Sequence, residues 1–138
     1  MDNCCFNRPF DNQEQIRIQI ETEAKLNIQE KVYLKHFDLV WSYILDYENF
    51  QNPFSERKQV IGRWKKIACS DIEESEEILK IADRIMEYGV KSKDALHLAC
   101  AIDGECRYFF TTDDILIKKM KHKMKIKVMN PVEFIAGL

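Results

Sequence analysis

Four acids are the residues of this 138-residue chain best placed by type and spacing to do chemistry: Asp2, Glu48, Asp94 and Asp113. Glu48 lies six residues past Ser42, which ends the apolar run FDLVWS. Asp94 falls in the first turn of a helix that Ser92 can cap. Asp113 follows directly on RYFFTT, and Asp2 stands just ahead of the first long helix. In an open parallel sheet the carboxyl ends of the strands and the amino ends of the following helices share one edge, and ligands gather there. Carboxylates brought together at that edge repel one another unless a cation or shared protons hold them. A hard divalent ion with oxygen ligands suits such a site. Magnesium or manganese there polarises a phosphoryl oxygen and lowers the pKa of a bound water, which is the chemistry of phosphodiester hydrolysis without a nucleophilic side chain. Taken singly, Asp94 and Asp113 also suit helix amino termini, where a carboxylate caps backbone N–H groups.

Other chemistries find less support. No Ser-His-Asp or Cys-His arrangement falls on the strand ends, and His36, His97 and His122 lie at no ligand spacing, so they read as surface or structural. The five cysteines include no CxxC or Cys/His zinc pattern and read as reduced, partly buried side chains. With four glycines in the whole chain, a dinucleotide or Walker phosphate loop is nearly excluded. A net charge of -2 argues against a protein that simply coats nucleic acid. The charge is segregated, however: DIEESEE at 71–77 holds five acids and KKMKHKMKIK at 118–127 holds six lysines. Solvated helix faces explain both runs. The sharper reading makes the lysines, Lys118, Lys119 and Lys121 among them, a phosphate-contacting surface beside an acidic site.

The elements that must position these acids follow from periodicity. From Asn12 the residues Ile16, Ile20, Ala24, Ile28 and Val32 recur every four positions and predict one stripe of a long amphipathic helix. FDLVWS reads as a buried strand, YILDYENFQ as a helix, and Pro53 as a break. A helix is expected from Ser55 through Ala68. Ser70 with Glu73 forms a capping box for another, closed by Gly89, and Ser92 caps a further one ending at Gly104. RYFFTT is a strand, DDILIKKMKH a helix and IKVMN a third strand closed by Pro131. Strands alternating with helices predict an α/β fold, a single domain over 1–138 with a central parallel sheet covered on both faces. No apolar span of roughly 20 residues and no signal peptide is visible, which points to a cytoplasmic protein with no membrane partner.

The stretches DNCC, WSYILDYE, KDALHLACA and FFTTDD resemble, in order, the four acidic motifs of PIN-domain nucleases, including VapC-like toxins of type II toxin-antitoxin pairs. The likeness spans essentially the whole chain and implies a PIN-like three-layer fold. It maps the family's acids to Asp2, Glu48, Asp94 and Asp113 as magnesium or manganese ligands and catalytic residues. Asp46 competes with Glu48, and only one of the two should face the site because a helix turns about 200° between them; the family's spacing favours Glu48. Ser42 and Thr111 would steady water or carboxylates, with Asp114 an outer neighbour. The activity implied is a metal-dependent endoribonuclease that cuts single-stranded RNA to leave a 5′ phosphate and a 3′ hydroxyl. A homodimer and an antitoxin protein are the partners the family implies.

Two departures accompany the likeness. Cys4 stands where the family often has a small polar residue. The family's opening strand, central in its sheet, is represented only by Met1, so the N-terminal strand reads as truncated. The alternatives are a non-catalytic PIN-fold module binding RNA or protein, and a phosphoacceptor receiver domain, for which the Asp113–Asp114 pair comes too late in the chain.

Overall fold

The computed structural model describes residues 6–13 and 15–138, so Asp2, Cys4 and Cys5 lie outside the described residues. A short 3-10 turn, Arg8–Phe10, leads to α1 (Ile16–Tyr33), β1 (Val40–Ser42), α2 (Tyr43–Phe50), α3 (Ser55–Ile67) and β2 (Ser70–Ile72). α4 (Glu76–Met86), α5 (Ser92–Asp103), β3 (Tyr108–Phe110), α6 (Asp114–Met120), β4 (Lys127–Met129) and α7 (Pro131–Ala136) complete the order. The chain is therefore mixed α and β, with helices predominating. Among the described residues no helix is long and apolar enough to cross a membrane.

The four strands form two parallel pairs rather than one continuous ladder. Val40, Trp41 and Ser42 of β1 face Ser70, Asp71 and Ile72 of β2, and Tyr108, Phe109 and Phe110 of β3 face Lys127, Val128 and Met129 of β4. The expected strands at FDLVWS, RYFFTT and IKVMN are present in shortened form. β2 is an addition: Ser70, expected to cap a helix with Glu73, pairs instead with Val40, and the helix begins later, where Ser75 Oγ accepts from the Ile78 amide. Ser92 is likewise inside its helix, not its cap; Lys91 holds the N-cap position and makes no side-chain cap bond. Pro131 does not merely end β4. It is the first residue of α7, whose N-cap Asn130 accepts from Val132 N, and a proline there lacks only an N–H the helix would leave unpaired.

Two apolar clusters hold these pieces. Ile78, Ile85, Leu98 and Phe109 anchor one between α4, α5 and β3, while Phe6, Val32, Trp41 and Ile61 anchor the other beneath α1 and α3. Gly104 ends α5 against β1 because a Cβ there would stand 3.0 Å from Val40 Cγ1. The stripe expected on α1 is only half correct. Ala24, Ile28 and Val32 are buried, but Ile16 and Ile20 are exposed, and the buried positions at that end of the helix are Glu21, Thr22 and Lys25. Glu21 explains the exchange: it is 1% exposed and accepts from Arg8 Nε (3.0 Å), Arg17 Nε (3.4 Å) and Asn130 Nδ2. A buried carboxylate is tolerable when paired in this way, and these bonds tie α1 to the 3-10 turn and to the start of α7.

Candidate functional site

The carboxyl ends of β1 and β3 open on one edge of the molecule. Glu48 of α2 and Thr112, just past β3, line the same cleft of about 400 Å³, together with Asn7, Arg8, Asp11 and Arg57. Each element reaches this edge for a local reason. Ser42, extended at the end of β1, turns the chain into α2 by accepting from the Leu45 amide through Oγ (3.4 Å). Thr111, fully buried, continues the ladder by donating its amide to Met129 O and accepts the Asp113 amide on Oγ1 (3.1 Å). Asp113 then caps α6, its Oδ1 accepting from Ile115 N (3.0 Å) and Leu116 N (3.2 Å).

Glu48 has the partner that sequence reasoning missed. Its Oε1 lies 2.5 Å from His97 Nε2, and that imidazole is 4% exposed on α5 with its ring tilted against Phe109. His97 follows Asp94 by three positions, within one helical turn and about 60° around the axis, so the contact brings α2 to the stretch of α5 that carries Asp94. The usable signal was the helical phase of Asp94 and His97; no spacing in sequence links His97 to Glu48. Asp46 is engaged elsewhere: its Oδ1 accepts from Trp41 Nε1 (2.8 Å) and its Oδ2 from Lys65 Nζ (3.0 Å). Two positions apart on α2, these two acids thus answer to different neighbours, as a 200° turn requires.

The remaining expected site residues divide. Asp94 is half-buried in the first turn of α5, where a carboxylate meets the positive end of the helix dipole. Asp114 forms a paired contact with Arg17, Nη1 to Oδ2 at 2.8 Å and Nη2 to Oδ1 at 2.9 Å; that guanidinium holds its carboxyl below the usual carboxylate range. Among the lysines, Lys118 and Lys121 are exposed, whereas Lys119 Nζ donates to Gly89 O (2.7 Å). Asp2 lies outside the described residues. Among the described residues no group of three or more His, Cys, Asp or Glu side chains stands together as a ready metal cage. Of the expected acids only Glu48 lines the cleft; carboxylate oxygens are the donors a hard divalent cation prefers, and the His97 contact is the kind of outer hydrogen bond that orients such a ligand.

Neighbouring groups are inert. Burial pushes the Cys100 thiol up to about 12, and the Tyr43 hydroxyl likewise to about 12, so both stay protonated at neutral pH. Cys69, Cys100 and Cys106 are free thiols. Set against family models, curated proteins and solved structures, the chain matches none of them.

Proposed function

We propose that this chain is a PIN-like, metal-dependent endoribonuclease acting on single-stranded RNA. The observation that carries the reading is the Glu48–His97 bond, which draws an acid from the helix after β1 to the turn of α5 that bears Asp94. The shared cleft of Glu48 and Thr112 supports it by bringing the end of β3, with Asp113 one residue on, to the same edge. Glu48, Asp94 and Asp113, joined by Asp2, are the residues that would hold Mg2+ or Mn2+; when bound, the ion supplies a polarised phosphoryl oxygen and a water of lowered pKa.

The chain's own residues do the rest. His97 fixes the rotamer of Glu48, so that one carboxylate oxygen is committed to the imidazole. Thr111 and Ser42 hold the turns from which Asp113 and α2 start. Lys118 and Lys121, exposed on and just after α6, meet RNA phosphates by charge alone. A toxin role with an antitoxin partner, and a homodimer, follow from the same family likeness.

One observation favours a second reading, a PIN-fold module that binds without cutting: Asp113 is already engaged as a helix cap. Calorimetry separates the two. The nuclease binds Mg2+ or Mn2+ at the carboxylates and loses that heat in Asp94→Asn, and it degrades single-stranded RNA when the ion is added. A folded protein that binds RNA, ignores both ions and cuts nothing would establish the second reading instead.

A further inference from the structure

Three large rings stand in water along the rim of the cleft that holds Glu48. Tyr47 and Phe50 of α2 and Phe54, just ahead of α3, are 50%, 74% and 54% exposed. Exposed aromatics scattered singly need no explanation, but rings gathered on one rim make a patch, and patches of this kind mark binding surfaces. Helix chemistry does not account for Phe54. It holds the N-cap position of α3, where Ser, Thr, Asp or Asn is preferred, and makes no side-chain cap bond. Asn52 Oδ1 accepts from the Phe54 amide at 3.1 Å and fixes the turn at which this ring joins the cleft lining.

Each ring carries a cation. Lys93 Nζ lies 5.5 Å from the Tyr47 centroid, Lys58 Nζ 4.7 Å from that of Phe50, and Arg57 Cζ 4.2 Å from that of Phe54. Arg57 is anchored where it stands: Nη2 donates to Phe10 O and Nη1 to Asp11 Oδ1 at 3.4 Å. A cation over one face of a ring leaves the opposite face for a second stacking partner. Lys58 and Lys93 make no ion pair among the described residues. Both ends of the row meet the candidate site. Lys93 directly precedes Asp94 in the first turn of α5, and Phe54 and Arg57 line the cleft with Glu48 and Thr112. Between these ends the Tyr47 hydroxyl accepts from Gln51 Nε2 at 3.1 Å, and Gln51 lines the cleft as well.

We propose that Tyr47, Phe50 and Phe54 form a stacking track for successive bases of single-stranded RNA, with Lys58 and Lys93 meeting the phosphates beside them. The proposal rests on the ribonuclease reading and deepens it: the bases lie on the side of the cleft built after β1, while Lys118 and Lys121 lie on the side built after β3. Every base has a π-face, so such rings hold a strand with little regard to its sequence. A duplex keeps those faces inside its own stack and is refused. Tyr47 and Phe50, three positions apart on one helix, hold their Cβ atoms about 5–6 Å apart and so present neighbouring platforms. Charge decides the occupant. An apolar protein surface would bury Lys58 and Lys93 without partners, a costly desolvation, whereas RNA brings a phosphate with every base. A second copy of this chain docked face to face would set the same cations against one another.

The test is fluorescence anisotropy of the full chain in EDTA, which stops metal-dependent cutting, with a labelled single-stranded RNA of about 10 nucleotides, an abasic strand of the same length, and the matching duplex. Tyr47→Leu, Phe50→Leu and Phe54→Leu keep an apolar side chain and lose the ring. Each is expected to weaken binding of the base-bearing strand by about 5-fold or more and to leave the abasic strand and the duplex unaffected. Phe50→Trp, which keeps a ring, should retain the affinity. Lys58→Ala with Lys93→Ala should lower the log–log salt slope by about 1.4 on base-bearing and abasic strands alike. Circular dichroism checks folding, and if Phe54→Leu unfolds, the more exposed Phe50 and its neighbour Tyr47 decide. Unchanged affinity in a folded variant lacking the rings overturns the proposal, as does an equal loss on base-bearing and abasic strands, or no RNA binding at all. A dimer that dissociates in Phe50→Leu while RNA affinity holds would assign the face to a second copy and overturn it too. Base-dependent binding with no cutting after Mg2+ is added sinks the ribonuclease reading and leaves the track standing; cutting whose KM is the same in the leucine variants does the reverse.

Discussion

Replacing His97 by alanine removes the contact on which the candidate site rests, and its cost can be worked from the structure. The bond joins an imidazole side chain 3% exposed to a carboxylate side chain 18% exposed, at 2.5 Å. Hydrogen bonds to charged groups are worth ~1.5–3 kcal/mol net, and the residual exposure of Glu48 lets water replace part of the loss, which puts the bond near the lower end, ~1.5–2 kcal/mol. His97→Ala also empties the space the ring fills beside Phe109, adding roughly 1–2 kcal/mol for the cavity. The single variant should therefore lose about 3–4 kcal/mol. Glu48→Ala, with less buried volume to lose, should cost about 2 kcal/mol. Because the two residues touch, the double variant should be less damaged than the sum, with a coupling of ~1.5–2 kcal/mol. Urea unfolding of the four proteins, followed by far-UV circular dichroism at one pH with the slopes required to agree, measures this coupling. A coupling below about 0.5 kcal/mol would refute the reasoning, since the two side chains would then act independently.

Three further outcomes are expected. Glu21→Ala should destabilise the fold by about 2–3 kcal/mol, because it strips Arg8, Arg17 and Asn130 of a shared buried acceptor; thermal denaturation checks this, and an unchanged midpoint counts against the hub. Stability should fall as pH rises between about 9 and 12. The Cys100 and Tyr43 groups ionise in the unfolded chain from their ordinary 9.0 and 10.0 but are held up to about 12 when folded, so their contribution is intact below pH 9 and disappears above it. Cys100→Ser with Tyr43→Phe should flatten that alkaline slope in urea titrations; a slope left as steep would point to other groups. Lys118→Ala with Lys121→Ala should lower the salt dependence of single-stranded RNA affinity by about 1.4 in the log–log slope, read by fluorescence anisotropy in EDTA; an unaltered slope would move the RNA off α6.

How far the sequence disclosed this molecule varies by element, and the reasons are physical. α2, α6 and β3 were legible because an apolar run meets a capping residue within a few positions, as at Ser42 and Asp113. β2 was not: Ser70, Asp71 and Ile72 form a polar edge strand whose pairing to β1 carries no local signal, and Ser70 and Asp71 face solvent. Ser70 with Glu73 satisfied the letter of a capping box, yet Ser75, five residues further, captured the helix start. The α1 stripe misled at Ile16 and Ile20 because a period of four registers apolar residues but not the long-range partners that bury Glu21. For the site, Glu48, Asp94 and Asp113 could be nominated from the edge rule, whereas the His97 contact depends on how α2 crosses α5. The separation of the strands into two pairs leaves no mark in the local pattern of any one strand.

The central claim is chemical, so the decisive measurement is on the products of cleavage. End-labelled single-stranded RNA is incubated with folded protein, with and without Mn2+ or Mg2+, and the fragment ends are identified. The account predicts cutting only with the ion, 5′ phosphate and 3′ hydroxyl ends, and a loss of at least about 100-fold in Asp94→Asn, as expected when a group acting on the reacting phosphate is removed. Folded protein that leaves every RNA intact with excess ion, or that yields 2′,3′-cyclic phosphate ends without it, would contradict the account.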